Sequence, residues 1–209
     1  MSGVKSTKAW FKKHVNDPYV KRAQQEGQRS RAVFKLTELL DKYRFLHPGM
    51  VVVELGAAPG SWTELMAKQV GRKGLIVAVD RITMYPVENT IILQGDIESD
   101  TMLDDLSNAL GGRKVNWLIS DCAPDLTGSS TMDALRTLHL AQCVLDLADN
   151  ILPLGGGLLL KAFQGAGFTE FLQSIKQKYD KVRVVKPQAS RAQSREVYIL
   201  ASGYKRTIP

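Results

Sequence analysis

Three acidic residues stand where apolar, strand-like segments of this 209-residue chain end. Asp80 directly follows Leu75–Val79, Asp121 follows a segment that ends at Ser120, and Asp96 stands one glycine beyond a shorter segment. The carboxyl ends of parallel strands border the ligand crevice of an open α/β sheet. We therefore expect the three carboxylates to line one site.

Two more charged residues interrupt apolar, strand-like sequence. Lys161 follows Leu158–Leu160, and Glu196 begins the last apolar segment of the chain. Charged side chains rarely occur in buried strands unless they are paired. One interpretation is an ion pair between Lys161 and Glu196 on the rim of the sheet, and the other is a pair of catalytic groups. The two residues alone leave both interpretations open.

The segment from Val51 to Trp62 reads Val-Val-Val-Glu-Leu-Gly-Ala-Ala-Pro-Gly-Ser-Trp. Its β-branched residues predict a buried strand, its small residues allow backbone N–H groups to approach a ligand, and its serine can cap a helix. A strand, a glycine loop and a helix in this order indicate a nucleotide-type cofactor site. An ordinary strand-to-helix turn favours the same residues.

The spacing of this loop indicates the type of cofactor. The loop is Gly-x-x-x-Gly with a proline, and it lacks the Gly-x-Gly-x-x-Gly pattern that holds a dinucleotide pyrophosphate, which disfavours a nicotinamide-dependent oxidoreductase. Asp80 lies 24 residues after Gly56, close to the roughly 20-residue spacing at which an acid binds ribose hydroxyls. A cofactor with an adenosine and no pyrophosphate fits better, and S-adenosylmethionine is such a cofactor.

Helical periodicity and apolar runs alternate along the chain and predict an α/β fold. A helix is predicted over residues 31–45, with Lys35 beside its apolar stripe. Beyond the strand at 51–55, strands are predicted at 75–79, 91–94, 115–120, 157–163, 181–185 and 196–201, and helices at 61–66, 101–110, 131–152 and 168–179. This alternation is typical of a Rossmann-like, mostly parallel sheet with helices on both faces. We expect the last two strands to form an antiparallel hairpin at the sheet edge.

Basic residues are concentrated at the two ends of the chain. Residues 1–50 contain 11 Lys and Arg against 4 Asp and Glu, residues 176–209 contain 9 against 2, and the middle carries an excess of acids. Such segregation is typical of a protein that binds a polyanion, and nucleic acid fits better than a membrane because no amphipathic anchor is visible. A merely solvated basic surface is the alternative. We divide the chain into a basic N-terminal extension, residues 1–28, and one domain, residues 29–209.

Several other classes of protein and site are disfavoured by the sequence. No apolar run approaches the roughly 20 residues of a membrane span, and the N-terminus lacks the apolar core of a secretory signal. Two cysteines are too few for a disulfide framework, which predicts a cytoplasmic protein. His14, His47 and His139 lack metal-ligand spacing, so we expect no metal site. Cys122 has no histidine placed to activate it and is expected to be a packed thiol.

Four motifs occur in order along the chain. They are Gly-Ala-Ala-Pro-Gly-Ser-Trp at 56–62, Ser-Asp-Cys-Ala-Pro at 120–124, Leu-Lys-Ala-Phe-Gln-Gly at 160–165 and Ser-Arg-Ala-Gln-Ser-Arg-Glu-Val-Tyr at 190–198. Together they resemble the FtsJ/RrmJ family of ribosomal RNA ribose 2′-O-methyltransferases, over nearly the whole chain from about residue 10. Asp-Pro-Tyr-Val at 17–20 and Arg-Ser-Arg-Ala at 29–32 resemble the branch that modifies bacterial large-subunit RNA more than the tRNA-modifying branch.

The resemblance implies an activity and a site. The activity is methyl transfer from S-adenosylmethionine to the 2′-oxygen of a uridine in the A-loop of 23S ribosomal RNA, within the large ribosomal subunit. The implied catalytic tetrad is Lys35, Asp121, Lys161 and Glu196, and the implied cofactor contacts are Gly60, Trp62, Asp80, Asp96 and Asp121. A tRNA substrate is the alternative among enzymes. A noncatalytic RNA-binding assembly factor on the same fold is the alternative from another class, which an intact tetrad disfavours.

The implied tetrad suggests a mechanism. We hypothesise that Lys161 accepts the proton of the 2′-hydroxyl, that Asp121 places Lys161, and that Lys35 and Glu196 orient the ribose. Burial and the nearby Lys35 favour a neutral amine at Lys161, whereas Asp121 and Glu196 favour the ammonium. The sequence leaves the charge of Lys161 open.

Overall fold

The first strand of the sheet in chain order begins at the three consecutive valines. A computed structural model describes residues 15–125 and 130–205, without the side chains of residues 130 and 131. In it, β1 covers Val51–Leu55, and all five of its residues are buried. Val52, Val53 and Leu55 are fully shielded from solvent, because helices cover both faces of the sheet as the β-branched run predicts.

Seven strands form one sheet in the part of the chain that the structure describes. The strands that follow β1 are β2 (Leu75–Asp80), β3 (Thr90–Gln94), β4 (Trp117–Ser120), β5 (Gly157–Phe163), β6 (Tyr179–Val185) and β7 (Glu196–Tyr204). Their order across the sheet is β3-β2-β1-β4-β5-β7-β6. All neighbours are parallel except that β7 runs antiparallel to both β5 and β6. The strand order reverses between β1 and β4, which is where open α/β sheets bind ligands.

Helices pack on both faces of the sheet. The helices of the described residues are α1 (Pro18–Gln25), α2 (Val33–Tyr43), α3 (Ser61–Val70), α4 (Met102–Leu110), α5 (Ser130–Ile151) and α6 (Phe168–Lys178). One face of the sheet packs against apolar side chains of α2 and α3, and the other packs against those of α4, α5 and α6. The predicted Rossmann-like fold with antiparallel edge strands is confirmed. None of the described helices is long and apolar enough to cross a membrane.

The two basic ends of the chain meet in space. Asp17 caps α1 by accepting the N–H of Tyr19, and it forms an ion pair with Arg31. Arg31 also donates to the backbone oxygen of Ala189, and Glu38 accepts the N–H of Ala189 at 2.9 Å. Asp17 also lies 3.6 Å from Nε of Arg191, so the described part of the predicted N-terminal extension packs against the loop before β7. The boundary at residue 28 stays a prediction, and residues 1–14 lie outside the described residues.

Element boundaries differ from the predictions where side chains or neighbouring strands decide them. The strand predicted from residue 115 begins at Trp117, and just before it the side-chain oxygen of Asn116 accepts the N–H of Val51 at 2.8 Å. The strand predicted to end at residue 201 continues to Tyr204, because β7 has a hydrogen-bonding neighbour on each side. The helix predicted over residues 31–45 spans Val33–Tyr43.

Candidate active site

A cavity of about 650 Å³ lies at the carboxyl ends of β1, β2 and β4. Its lining includes Gly56 after β1, Asp80 at the end of β2, Asp96 beyond β3 and Asp121 after β4. The structure therefore brings the three acids at the strand ends to one cavity. The volume lies within the range of about 300–1,000 Å³ that is common for ligand pockets.

The glycine loop is held tightly at the mouth of this cavity. Asp80 accepts the N–H of Ala58 at 2.8 Å through Oδ2 and the N–H of Ile82 at 2.9 Å through Oδ1. Gly56 has φ of +77°, and a Cβ there would lie 2.8 Å from the backbone nitrogen of Cys122. Only glycine therefore allows the ends of β1 and β4 to approach each other this closely.

Gly60 and Trp62 lie apart from the cavity lining of the described residues. Gly60 has φ of +96°, and a Cβ there would lie 2.5 Å from Nη1 of Arg29. Trp62 is 3% exposed, and its indole N–H donates to the backbone oxygen of Ala32 at 2.7 Å. Gly60 is the N-cap of α3 and Trp62 lies in its first turn, and their contact with a cofactor stays a prediction.

Lys161 and Asp121 form a largely buried pair beside the cavity. The parallel register pairs Ser120 of β4 with Leu160 of β5, which sets the next residues, Asp121 and Lys161, side by side. Lys161 is 9% exposed, and its Nζ donates to the backbone oxygen of Asp121 and lies 3.2 Å from Oδ1. Because Asp121 also lines the cavity, this pair connects the cavity to the interior.

Lys35 and Glu196 form a second pair close by. Lys35 projects from α2 and Glu196 begins β7, and their Nζ and Oε1 atoms are 2.7 Å apart. Only 13% and 12% of these side chains is exposed, which is unusual for an ion pair on the rim of a sheet. Ser190 donates to the same Oε1 at 2.8 Å and helps to hold the carboxylate in place.

Tyr198 joins the two pairs into one network. Its hydroxyl donates to Oδ1 of Asp121 at 2.6 Å and accepts from Nζ of Lys35 at 3.3 Å. Burial, together with the nearby Asp121 and Glu196, raises the pKa of Tyr198 well above its usual value, so the phenol keeps its proton. The four residues of the implied tetrad therefore lie together, with Tyr198 between them.

Sequence reasoning did not single out Tyr198, although one signal was available. Residues two apart on a strand lie on the same face, so Tyr198 shares a face with Glu196. Tyr198 is also the cross-strand partner of Lys161 in the β5–β7 ladder. Only the register of the β5–β7 pair identifies Tyr198, and this register cannot be read from the sequence alone.

Glu54 is a second residue that sequence reasoning passed over. It lies on β1 directly below the glycine loop, is 1% exposed, and accepts a hydrogen bond from the Thr63 hydroxyl at 2.6 Å. Burial raises the pKa of Glu54 to about 8, with smaller contributions from Asp121 and Asp80, against the lowering effect of the Thr63 bond. Glu54 is therefore protonated at neutral pH and adds no negative charge beneath the cavity.

The two cysteines lie near the cavity. Burial raises the pKa of Cys122 to about 11, so this thiol is not a nucleophile at neutral pH. Cys143 lies one helical turn from His139, which is 2.8 Å from Glu98 at the exposed rim of the cavity. Burial and Glu98 raise the pKa of the Cys143 thiol too, in the metal-free chain. The expectation of no metal site stays a prediction.

The fold and the site together are those of an α/β enzyme with a cofactor cavity. A cavity at the reversal of strand order is typical of α/β enzymes that bind a nucleotide-type cofactor. The network beside it offers ammonium, carboxylate and phenol groups that are held in fixed positions and partly shielded from water. Side chains of these types commonly take part in general acid–base catalysis.

The chain belongs to the family of FtsJ-like methyltransferases, whose sequence model matches residues 28–204. A relative from Acinetobacter baylyi, named ribosomal RNA large subunit methyltransferase E, is 44% identical over 204 residues, which are 98% of this chain and 94% of the relative. The protein of the same name from Pseudomonas fluorescens is 42% identical over 205 residues, which are 98% of each chain. These matches confirm the family resemblance of the four motifs.

Solved structures agree with this assignment. A crystal structure from Plasmodium falciparum, described as that of a ribosomal RNA methyltransferase, is similar with a TM-score of 0.76 and 27% identity, covering 84% of this chain and 98% of that one. Fibrillarin in its complex with Nop5p is similar with a TM-score of 0.57 at 17% identity, covering 81% and 80%. The second similarity concerns the fold alone.

Proposed function

We propose that this chain transfers a methyl group from S-adenosylmethionine to the ribose 2′-hydroxyl of a uridine in the A-loop of 23S ribosomal RNA, within the large ribosomal subunit. The observation that carries the proposal is the buried network around Asp121, because the same residue lines the cofactor-sized cavity and contacts both Lys161 and Tyr198. The names of the nearly full-length relatives support ribosomal RNA as the substrate.

The cavity suits a cationic, pyrophosphate-free cofactor. Its lining carries the carboxylates of Asp80, Asp96, Glu98, Asp121 and Asp125 against the guanidinium groups of Arg81 and Arg136. This excess of carboxylates would repel the phosphates of a dinucleotide and attract the sulfonium and ammonium groups of S-adenosylmethionine. Asp80 uses one lone pair of each carboxylate oxygen for the loop, which leaves the others for ribose hydroxyls. When bound, the cofactor supplies an electrophilic methyl group.

Lys161 is the proposed proton acceptor. A neutral amine has two N–H donors and one lone pair, and Asp121 offers two acceptors to Lys161, the backbone oxygen and Oδ1. With both N–H groups directed to Asp121, the lone pair of Lys161 remains for the proton of the 2′-hydroxyl. Positioned proton transfer of this kind contributes roughly 10²–10⁴-fold to a rate.

Lys35 and Glu196 are proposed to orient the ribose. The Lys35 ammonium has three donors, of which Glu196 and Tyr198 accept two. The third remains for an oxygen of the ribose. Holding the 2′-oxygen against the methyl carbon converts a bimolecular step into an effectively unimolecular one, for which positioning supplies up to about 7–11 kcal/mol.

The RNA is proposed to bind across the basic ends of the chain. Contacts among Asp17, Arg31 and Ala189 hold the first helix against the loop before β7, and Lys21 and Arg191 are exposed there. Lys21 and Arg191 define this basic surface, and the loop that carries Arg191 leads to Glu196. Phosphate contacts at this surface would hold the ribose near the network.

One experiment separates the proposed function from its alternatives. The protein is incubated with methyl-labelled S-adenosylmethionine and, in separate reactions, with unmodified 23S ribosomal RNA, assembled large subunits and tRNA. We expect label in ribosomal RNA, free or assembled, and none in tRNA. Label in tRNA alone would indicate the other enzyme branch. Absence of label from every RNA, with RNA binding intact, would favour the noncatalytic assembly factor.

A further inference from the structure

Arg29 makes four hydrogen bonds to three separate segments around the glycine loop. Its Nε donates to Oε1 of Glu64 at 2.8 Å, and its Nη1 donates to the backbone oxygens of Pro59 and Tyr85, each at 3.0 Å. Its Nη2 donates to the backbone oxygen of Pro86 at 3.2 Å. Only 19% of the Arg29 side chain is exposed. One guanidinium thus joins the glycine loop, α3 and residues 85–86.

Two of these segments form walls of the cofactor-sized cavity. Ala58 belongs to the glycine loop, and Arg81 and Ile82 begin the loop that contains Tyr85; all three line the cavity. Asp80 holds the near ends of both segments through Ala58 and Ile82. Arg29 holds their far ends. The cavity wall is therefore anchored by a carboxylate on one side and by a guanidinium on the other.

Gly60 leaves room for the guanidinium of Arg29. A Cβ at Gly60 would lie 2.5 Å from Nη1 of Arg29, so the absence of a side chain leaves the space that the guanidinium fills. Two more contacts follow directly along the chain: Ser61 donates to the Ser30 hydroxyl at 2.8 Å, and Trp62 donates to Ala32 at 2.7 Å. Residues 29–32 are thus attached to residues 59–64 along their length.

We infer that Arg29 is a positioning residue for the methyl donor, an inference that rests on the proposed function. Arg29 holds the 81–86 loop and the glycine loop at the spacing that the donor requires, without touching the reacting atoms. Three segments that surround one side chain require donors that point in several directions. The planar guanidinium provides five donors from three nitrogen atoms, whereas the three donors of a lysine ammonium all leave from one nitrogen.

The test compares Arg29→Ala and Arg29→Lys with Arg22→Ala as the matched control. Arg22 also pairs with a glutamate, Glu26, at 2.7 Å, but on an exposed helix surface remote from the cavity lining. Isothermal titration of the full chain with S-adenosylmethionine gives the Kd. We expect the Kd to rise at least tenfold in Arg29→Ala, to rise by less in Arg29→Lys, and to change less than twofold in Arg22→Ala.

Two further readouts distinguish positioning from a loss of folding. At saturating donor, kcat of Arg29→Ala should stay within about threefold of wild type, so that the defect lies in donor affinity. Hydrogen exchange should accelerate in residues 56–60 and 81–85 and remain unchanged in β5 and β7. A uniform acceleration, or a Kd within twofold of wild type, overturns the inference. If the wild-type protein itself does not bind S-adenosylmethionine, the proposed function fails instead.

Discussion

Tyr198 is the residue through which the two lysine–carboxylate pairs depend on each other. It donates to Asp121 at 2.6 Å and accepts from Lys35 at 3.3 Å. Its raised pKa keeps it a donor at neutral pH. Without this hydroxyl, Asp121 would lose one hydrogen bond and would be freer to move away from Lys161.

The substitution Tyr198→Phe tests that dependence. A hydrogen bond to a charged group is worth about 1.5–3 kcal/mol, so we expect kcat to fall by roughly ten- to hundredfold, with donor affinity unchanged. Tyr204→Phe is the matched control, because Tyr204 also lies on β7 and donates to a carboxylate, Asp149, at 2.9 Å. Equal losses of kcat in the two variants would contradict a specific role for Tyr198.

Lys161→Arg tests the proposed proton acceptor. Arginine keeps a positive charge and does not lose its proton in proteins. We expect kcat to fall at least about 100-fold, in line with the loss of a positioned base, while the Kd for S-adenosylmethionine changes little. The measurement is single-turnover methyl transfer at saturating donor and RNA. Near-normal turnover of Lys161→Arg would rule out the role of proton acceptor.

Glu54 predicts a pH dependence of stability. Its pKa is raised to about 8 in the folded chain from an ordinary value of 4.5. Between these pH values the unfolded chain releases a proton that the folded chain retains, so the contribution of Glu54 to stability is complete below about pH 4.5 and is lost as the pH rises to about 8. The loss amounts to at most about 1.4 kcal/mol per pH unit.

Glu54→Gln removes this titration. We expect the free energy of unfolding of the variant, relative to wild type, to increase from pH 5 to pH 8, as measured by urea denaturation at several pH values. Glu26→Gln, at an exposed helix position, should follow the wild-type profile. Parallel pH profiles for wild type and Glu54→Gln would contradict a buried, protonated Glu54.

At the scale of elements, strand ends and registers assemble the site. Sequence patterns predicted that Asp80, Asp96 and Asp121 would converge, because the rule for carboxyl ends of parallel strands needs only the order of the elements. Lys161 and Glu196 were recognisable as charges in apolar strands. These inferences need only the order of apolar and charged residues within each segment, which can be read directly from the sequence.

Other parts of the site depend on pairing that no local pattern specifies. Tyr198 looks like one more apolar residue of a buried strand until β7 is inserted beside β5 and its register with Lys161 is known. Lys35 lies beside the stripe of its helix, and only the family resemblance indicated it. The contacts of Arg29 depend on the path of the irregular loop at residues 81–86. The positions of all three residues in the site depend on contacts between segments that lie far apart in the sequence.

Across the whole molecule, acidic and basic side chains are concentrated on different surfaces. The carboxylates gather in the cavity, and the basic ends of the chain meet around α1 and the loop before β7. A cationic donor and a polyanionic substrate would therefore be drawn to neighbouring but distinct surfaces.

Charge reversal on the basic surface tests this division. Arg191→Glu and Lys21→Glu should each weaken binding of 23S ribosomal RNA and reduce the slope of log affinity against log salt, because fewer counterions are released. Donor affinity should stay unchanged. Lys73→Glu, an exposed position in the turn before β2, is the control. A similar effect of all three substitutions on RNA affinity would indicate general electrostatics rather than a defined surface.

The atom that receives the methyl group distinguishes a ribose methyltransferase from a base methyltransferase. Ribosomal RNA labelled by the protein is hydrolysed with alkali, which cleaves after every nucleotide except one whose 2′-oxygen is blocked. We predict that the label is recovered in a single alkali-resistant dinucleotide whose 5′ residue is uridine, and that it is lost with Lys161→Arg. Label recovered in a mononucleotide would place the methyl group on a base and would contradict ribose methylation.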